Sequence, residues 1–367
     1  MWLLTIPNID FDTTLRARLV REAKFLRALL YFNIVRLWGD APLILHDPTS
    51  IDVKAQKIKR APKDSLYAQI IRDLTAATLL PKTYTGADIG RATSGAAHAL
   101  MAKVYVNRRE WSKALTEINE VINGGYGYAL FEKYADAFQQ ATKNGKEHIF
   151  SVQFGTNLGA KNSSQSLSSS NFSSFNTAVY PGDQPADTSL FQLFSATDTR
   201  RDVTFLTRIY NAATGNYVTF SPARFAKFID YSITPLTNQA QSGINYPVIR
   251  YADILLLKAE VLNEIAGNPT AEAYTAINTV RARANVGELT QGLNQADFRD
   301  SVFLERRKEF IQEGNRWFDL SRRGGSYLYD ALKKLPAKTG AALKDTLYPI
   351  PQAEIDINNE LTNNPGW

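Results

Sequence analysis

Three glutamates recur four residues apart late in the chain, Glu305, Glu309 and Glu313, with Arg306, Arg307 and Lys308 threaded between them. Side chains at that spacing share one face of a helix, which invites an acid–base reading. A glycosidase, however, needs one carboxyl with a raised pKa facing a second across a cleft. Neighbouring turns of one helix supply no cleft, and the interleaved cations favour ionised carboxylates. The expected role is a structural ion-pair ladder. No GxSxG, P-loop or GxGxxG stretch is present. The absence of cysteine removes disulfides, thiolate metal sites and a cysteine nucleophile. His46, His98 and His148 form no HxxxH or HExxH pair, so neither a metal nor another cofactor is expected. The sequence reads as that of a protein without catalytic activity.

Binding chemistry is available in the middle of the chain. Residues 155–178, GTNLGAKNSSQSLSSSNFSSFNTA, are crowded with Ser and Asn, yet they carry Phe172 and Phe175, which a plain linker would not need. Capture of a sugar requires flat apolar surfaces ringed by hydrogen-bonding side chains. The candidate set is Asn171, Phe172, Phe175, Tyr180, Asp183, Gln184, Tyr210, Tyr217 and Arg224. Any one of these aromatics could equally be packing within its subdomain, so they are candidates as a group. Trp38 is expected to pin the end of a helix, and Trp111 and Trp317 to sit in the core.

The chain has 367 residues, 44% of them hydrophobic and 11% aromatic, enough for two closely packed parts. The net charge of +6 and pI of about 9.2 suggest nucleic acid. The basic residues are nevertheless scattered among acids with no run of five, which argues for solvated faces and no nucleic-acid partner. No apolar run approaches the ~20 residues of a membrane-spanning helix. Met1-Trp2-Leu3-Leu4 is too short for a secretory signal.

Periodicity supplies the elements that must hold these groups. Residues 13–38 predict one long helix, with Leu19, Ala23, Leu26, Leu30, Ile34 and Leu37 inward and Gly39 as its stop. Further helices are expected over 63–80, over 95–108 capped by Thr93 or Ser94, and over 111–122. An internal repeat follows: Ala102, Tyr105, Ala114, Ile118 and Val121 are matched by Ala259, Leu262, Ala273, Ile277 and Val280. Small residues at such steps let paired helices approach closely, as in tetratricopeptide hairpins. Between the copies, 147–154 reads as a strand, 186–195 as a short helix, and 203–220 as a hairpin closed around Thr214-Gly215-Asn216. Residues 226–231 read as a further strand, and Tyr246-Pro247 as the lead-in to a helix. In 298–325, Phe303, Phe310 and Trp317 form one stripe and Leu304, Ile311 and Phe318 another. There Gly314 is expected to end a helix, Asn315 to cap the next, and Arg316 to pair with Asp319. The expected fold is mainly α: a tetratricopeptide-like helical hairpin scaffold with an irregular, loop-rich insertion containing a few short strands. Its parts are 1–145 (helical), 146–246 (ligand-binding, short strands) and 247–367 (helical).

Several stretches together resemble the SusD/RagB family of Bacteroidota. They are EAKFLRALLYFNIVRLWGDAPLI (22–44), AKVYVNRREWSKALTEINEVI, RYADILLLKAEVLNEIAG…AYTAINTVRARA (250–284), ERRKEFIQEGNRWFDLSR and LYPIPQAEI…NNELTNNPGW. The resemblance implies a non-catalytic nutrient-binding lipoprotein of the outer-membrane surface, taking an oligosaccharide and passing it to a SusC-like TonB-dependent transporter. Relatives that bind peptides, or a tetratricopeptide adaptor for protein tails, are the competing readings. Family members carry a lipidated cysteine and a substantial segment before the FLRA helix. The present chain is therefore expected to lack that segment, its lipid anchor and part of the ligand surface.

Overall fold

The computed structural model describes residues 10–45, 57–155, 188–211, 215–233 and 242–367. The chain divides into two compact units, Met1–Glu120 with Trp317–Trp367, and Val121–Arg316. Helix α1 (Thr13–Trp38) starts at Asp12, whose carboxylate accepts from the Leu15 amide at 2.6 Å. It ends at Gly39, whose φ of +71° suits the turn that no residue with a Cβ adopts easily. Helix α2 (Lys63–Ala77) packs on it. Helix α3 (Ser94–Arg108) begins under the Thr93 hydroxyl, which accepts from the Ala96 amide at 3.1 Å.

The face that α1 buries is not the expected one. Phe25 and Ala28 are 0% exposed and Phe32 1%, whereas Leu26 is 47% and Leu30 62% exposed. The sequence of α1 carries two apolar stripes at helical spacing, and the one bearing the aromatics faces α2. Arg27 fixes the choice through two hydrogen bonds, 2.8 and 2.7 Å, to the buried Asp73 of α2. Rotating the leucines inward would strand that carboxylate without its partner, a costly exchange.

Helix α4 (Trp111–Asn123) follows α3 through Arg109, at φ +59°. His98 of α3 and Glu117 of α4 meet at 2.6 Å. The small residues of the repeat do what their spacing predicts: Ala102, Ala114 and Ile118 are fully buried. Trp111 is only partly buried.

In the second unit, β1 (His148–Val152) pairs antiparallel with β4 (Tyr246–Arg250). Between them in sequence come α5 (Arg200–Thr204) and the antiparallel hairpin β2 (Phe205–Asn211) and β3 (Asn216–Phe225). Three expectations change here. The helix expected over 186–195 is a 3-10 segment, Thr188–Leu193. The expected strand over 226–231 is turn-forming, because Lys227 and Phe228 are drawn inward to 2% and 0% exposure. The stretch after Tyr246 is β4 before it is a helix, since Pro247 disfavours helix and β1 offers it a partner.

Helices α6 (Tyr251–Ala266), α7 (Ala271–Arg283) and α8 (Gln295–Glu309) then pack together. Their core holds Ala259, Ala273, Ile277 and Val280, the second copy of the repeat, with Phe298 and Phe310. Helix α8 stops at Glu309, and the chain turns through Gln312 and Gly314 at φ +65° and +71°. That turn splits the predicted stripes: Phe303 and Phe310 are each 4% exposed, Leu304 is 45% exposed, and Trp317 lies on the next helix, partly exposed.

The chain returns to the first unit with α9 (Arg316–Arg323), α10 (Tyr327–Lys333) and α11 (Gln352–Ile357). Asp319 pairs with Arg322 at 2.9 Å. The Arg36 guanidinium lies between the rings of Phe32 and Phe318, 3.9 and 3.6 Å from their centres. The Tyr348 ring meets Trp38 edge to face and lies tilted against Trp317, and the Asn364 amide donates to the carbonyls of Trp38 and Tyr348. The structure is mainly helical, with tetratricopeptide-like hairpins and few short strands. Among the described residues no helix is long and apolar enough to cross a membrane.

The orientation of α1 predicts unequal mutational costs. Phe25→Ala should lower the unfolding free energy by about 3–5 kcal/mol, and Leu30→Ser by no more than about 0.5 kcal/mol. Urea denaturation of both variants checks this. Equal losses would contradict the burial pattern.

Candidate functional site

Alternation over residues 208–211 and 216–220 sorts the side chains of the hairpin. Ile209 and Val218 face inward, where they pack with Leu206, Phe220, Ala226 and Ile229. Arg208 and Tyr210 on β2, and Tyr217 and Thr219 on β3, take the opposite, solvent face. Tyr210 stands directly opposite Tyr217, and Arg208 opposite Thr219. The two tyrosine rings meet edge to face with centres 5.4 Å apart, and the Arg208 guanidinium lies 4.7 Å from the Tyr217 ring centre. Tyr210 remains 53% and Tyr217 58% exposed. A cross-strand pair of this kind stabilises a hairpin by about 0.2–1 kcal/mol, which does not call for two tyrosines so open to water. The face offers two aromatic surfaces, a guanidinium and a hydroxyl in one patch.

Of the predicted site residues, the structure brings Tyr210 and Tyr217 together. Arg224 is 4% exposed, opposite Leu206, with its guanidinium 5.8 Å from the Phe220 ring, so it does not share the tyrosine face. The register slips between those positions, and Pro222, which cannot donate to a ladder, falls in the irregular stretch. Asn171, Phe172, Phe175, Tyr180, Asp183 and Gln184 lie outside the described residues. Arg208 and Thr219 were missed in the sequence, although the same alternation that places Tyr210 and Tyr217 also places them.

The three glutamates of the opening motif lie in the interior, within a network of charges. Glu305 accepts from Arg200 at 2.6 Å and Arg281 at 2.9 Å. Glu309 accepts from Arg250 at 2.9 Å, Arg200 at 3.2 Å and Arg283. Glu313 accepts from Arg250 at 2.8 Å and Lys227 at 3.0 Å. Glu147, just before β1, takes Arg250 and Arg283 as well as the Phe131 amide. These partners lie elsewhere in the chain, and the interleaved Arg306 turns to Asp253 of α6 at 2.7 Å. They come from α5, β4, α7 and the turn after β3.

Burial alone would raise the Glu309 carboxyl, but Arg283, Arg250 and Arg200 outweigh it and hold it well below its usual range. A carboxylate held ionised in this way cannot serve as a general acid. Burial pulls the Lys227 ammonium down to about 8, with Glu313 opposing the shift. His148 donates through Nε2 to the Ala137 carbonyl at 2.9 Å, and burial lowers its pKa. Among the described residues no group of His, Asp or Glu is arranged to hold a metal ion.

A mainly helical, tetratricopeptide-like fold with few short strands is already seen in solved structures. A SusD superfamily protein from Parabacteroides distasonis superposes with a TM-score of 0.85 at 26% identity, over 100% of this chain and 82% of that one. A laminarin-binding SusD-like protein gives 0.80 at 25% identity, over 100% and 82%. In sequence, SusD-like protein P2 of Formosa agariphila is 30% identical over 94% of this chain and 73% of its own. The pattern of the SusD family matches residues 146–367, and one described as "Starch-binding associating with outer membrane" matches residues 8–106. The chain belongs to the SusD/RagB family.

The buried charges make stability depend on pH with a definite sign. Glu309 has a folded pKa below its ordinary 4.5, so its contribution is present above pH 4.5 and lost as the pH falls. His148 has a folded pKa below 6.5, so the fold favours its neutral form and loses that advantage as the pH falls from 6.5. The urea midpoint should therefore drop steadily on acidification below about pH 6.5. A His148→Gln variant should show a shallower drop over the first part of that range. Glu309→Gln, which leaves arginines uncompensated, should cost about 3–5 kcal/mol at neutral pH. A midpoint flat from pH 7 to 4 would contradict the assignment.

Proposed function

We propose that this protein is a non-catalytic glycan-binding protein of the outer-membrane surface, which captures an oligosaccharide and delivers it to a SusC-like TonB-dependent transporter. Its binding surface is assigned to residues 146–246 and includes the Tyr210–Tyr217 face. The observation that carries this reading is the exposed tyrosine pair in a chain of this family. Stacking of sugar C–H faces on aromatic rings needs surface-exposed, preorganised rings, and the hairpin register supplies them. The laminarin-binding relative and the starch-binding, outer-membrane description are consistent with a glycan ligand and with that location. Absence of catalysis is supported by the state of the glutamate motif, whose central carboxylate is locked by arginines instead of being poised to give up a proton.

A panel of oligosaccharides, scored for both binding and released product, tests the proposal. At least one glycan should bind without being cleaved. Replacing Tyr210 and Tyr217 together with Ala should weaken that binding about tenfold, equivalent to about 1.4 kcal/mol, with little change in melting temperature. Turnover of any glycan would overturn the non-catalytic reading. Undiminished binding by the double variant would remove the hairpin face from the site.

A further inference from the structure

The glycan that fits this face carries negative charge. Arg208 is exposed, and its guanidinium rests over the Tyr217 ring at 4.7 Å. Among the described residues no carboxylate pairs with it. It thereby differs from Arg200, Arg250 and Arg283, three arginines of this unit whose side chains are buried and held by carboxylates. Its neighbours in sequence offer no carboxylate either: residues 203–229 contain no Asp or Glu. An exposed arginine stacked by one face keeps its N–H edge directed outward, and that planar fork matches the two oxygens of a carboxylate or sulfate.

Spacing connects this cation to the sugar surface. Arg208 and Tyr210 are two residues apart on one strand and so stand side by side, about 6.6 Å apart, on one face. That separation is comparable to a single sugar residue. A ring stacked on Tyr210 would bring an acidic substituent to Arg208, with the Thr219 hydroxyl opposite Arg208 to take a neighbouring hydroxyl group. We propose that the Arg208–Tyr210–Tyr217 face selects anionic oligosaccharides, whose uronate carboxylate or sulfate ester is read by Arg208. This rests on the glycan-binding function proposed above and adds the charge class of its ligand.

The test compares oligogalacturonate, a sulfated galactan oligosaccharide and neutral laminari- and malto-oligosaccharides on the whole chain, by calorimetry. At least one anionic probe should bind more tightly than the neutral ones. Its affinity should fall as salt is raised to about 0.5 M, where charge attraction is screened within a few ångströms. Arg208→Gln should weaken the anionic ligand about tenfold while changing a neutral one less than about twofold. Arg208→Lys, which keeps the charge but loses the fork, should fall between the two. Comparison of the oligogalacturonate and sulfated arms identifies the acidic group. Unchanged anionic binding by Arg208→Gln at an unchanged melting temperature would overturn the inference. Binding of neutral probes alone would also overturn it, while leaving the glycan-binding function standing. If no probe binds, both fall.

Discussion

The second unit depends on a condition set by α8 and the turn after it: Glu305, Glu309 and Glu313 are buried at 2%, 0% and 6% exposure, and each must find cations there. Burying a lone carboxylate costs far more than the fold can offset elsewhere. The chain meets the condition with arginines and a lysine from well-separated places, Arg200, Lys227, Arg250, Arg281 and Arg283. Arg200, Arg250 and Arg283 each bridge two or more carboxylates. The network therefore acts chiefly by selecting one arrangement: α5, β4, α7 and the turn after β3 cannot shift by a residue without leaving a charge unpaired. Net stabilisation over an apolar core is not required for this role. Such a device suits the stretch from α5 to β4, whose strands provide few ladder hydrogen bonds to fix its register.

Local elements were legible in the sequence and choices between equivalent faces were not. The limits of α1, the Thr93 cap and the alanine steps of both helical hairpins follow from spacing and capping alone. The rotation of α1 does not, because Leu26 and Leu30 lie on a stripe as periodic as that of Phe25 and Phe32. The deciding contact, Arg27 with Asp73, joins residues 46 apart in sequence. The same limit explains the glutamate motif. That its carboxylates are structural could be read from the motif. That their partners lie tens to over a hundred residues away could not, since the adjacent Arg306 looked like the cheaper partner and instead serves Asp253.

The candidate site was legible where it is strand-like. Period-two alternation in TFLTRIYN and NYVTF fixes which side chains share a face, and the turn signal around Gly215 fixes which residues stand opposite. Tyr210 and Tyr217 followed from aromatic content, but Arg224 was grouped with them on proximity in sequence. The slip in register beyond Thr219 separates it from them, and it is buried instead. Arg208 carries no sequence signal beyond the alternation that places it on the same face as Tyr210.

The two populations of arginine in this unit follow different physics, and that difference separates scaffold from surface. Inside, desolvation makes every charge expensive unless it is paired, and the guanidiniums of Arg200, Arg250 and Arg283 are committed to carboxylates. Outside, an unpaired cation costs little, because water solvates it and the Tyr217 ring covers one of its faces. Such a group retains its full hydrogen-bonding capacity until an acceptor arrives. A binding face on this fold must therefore be sought where charge is exposed and unspent, and not where charge is densest. By that criterion the glutamate motif, with the highest concentration of ionisable groups in the chain, is excluded as a ligand site. The proposed ligand face lies instead on the thinly charged hairpin.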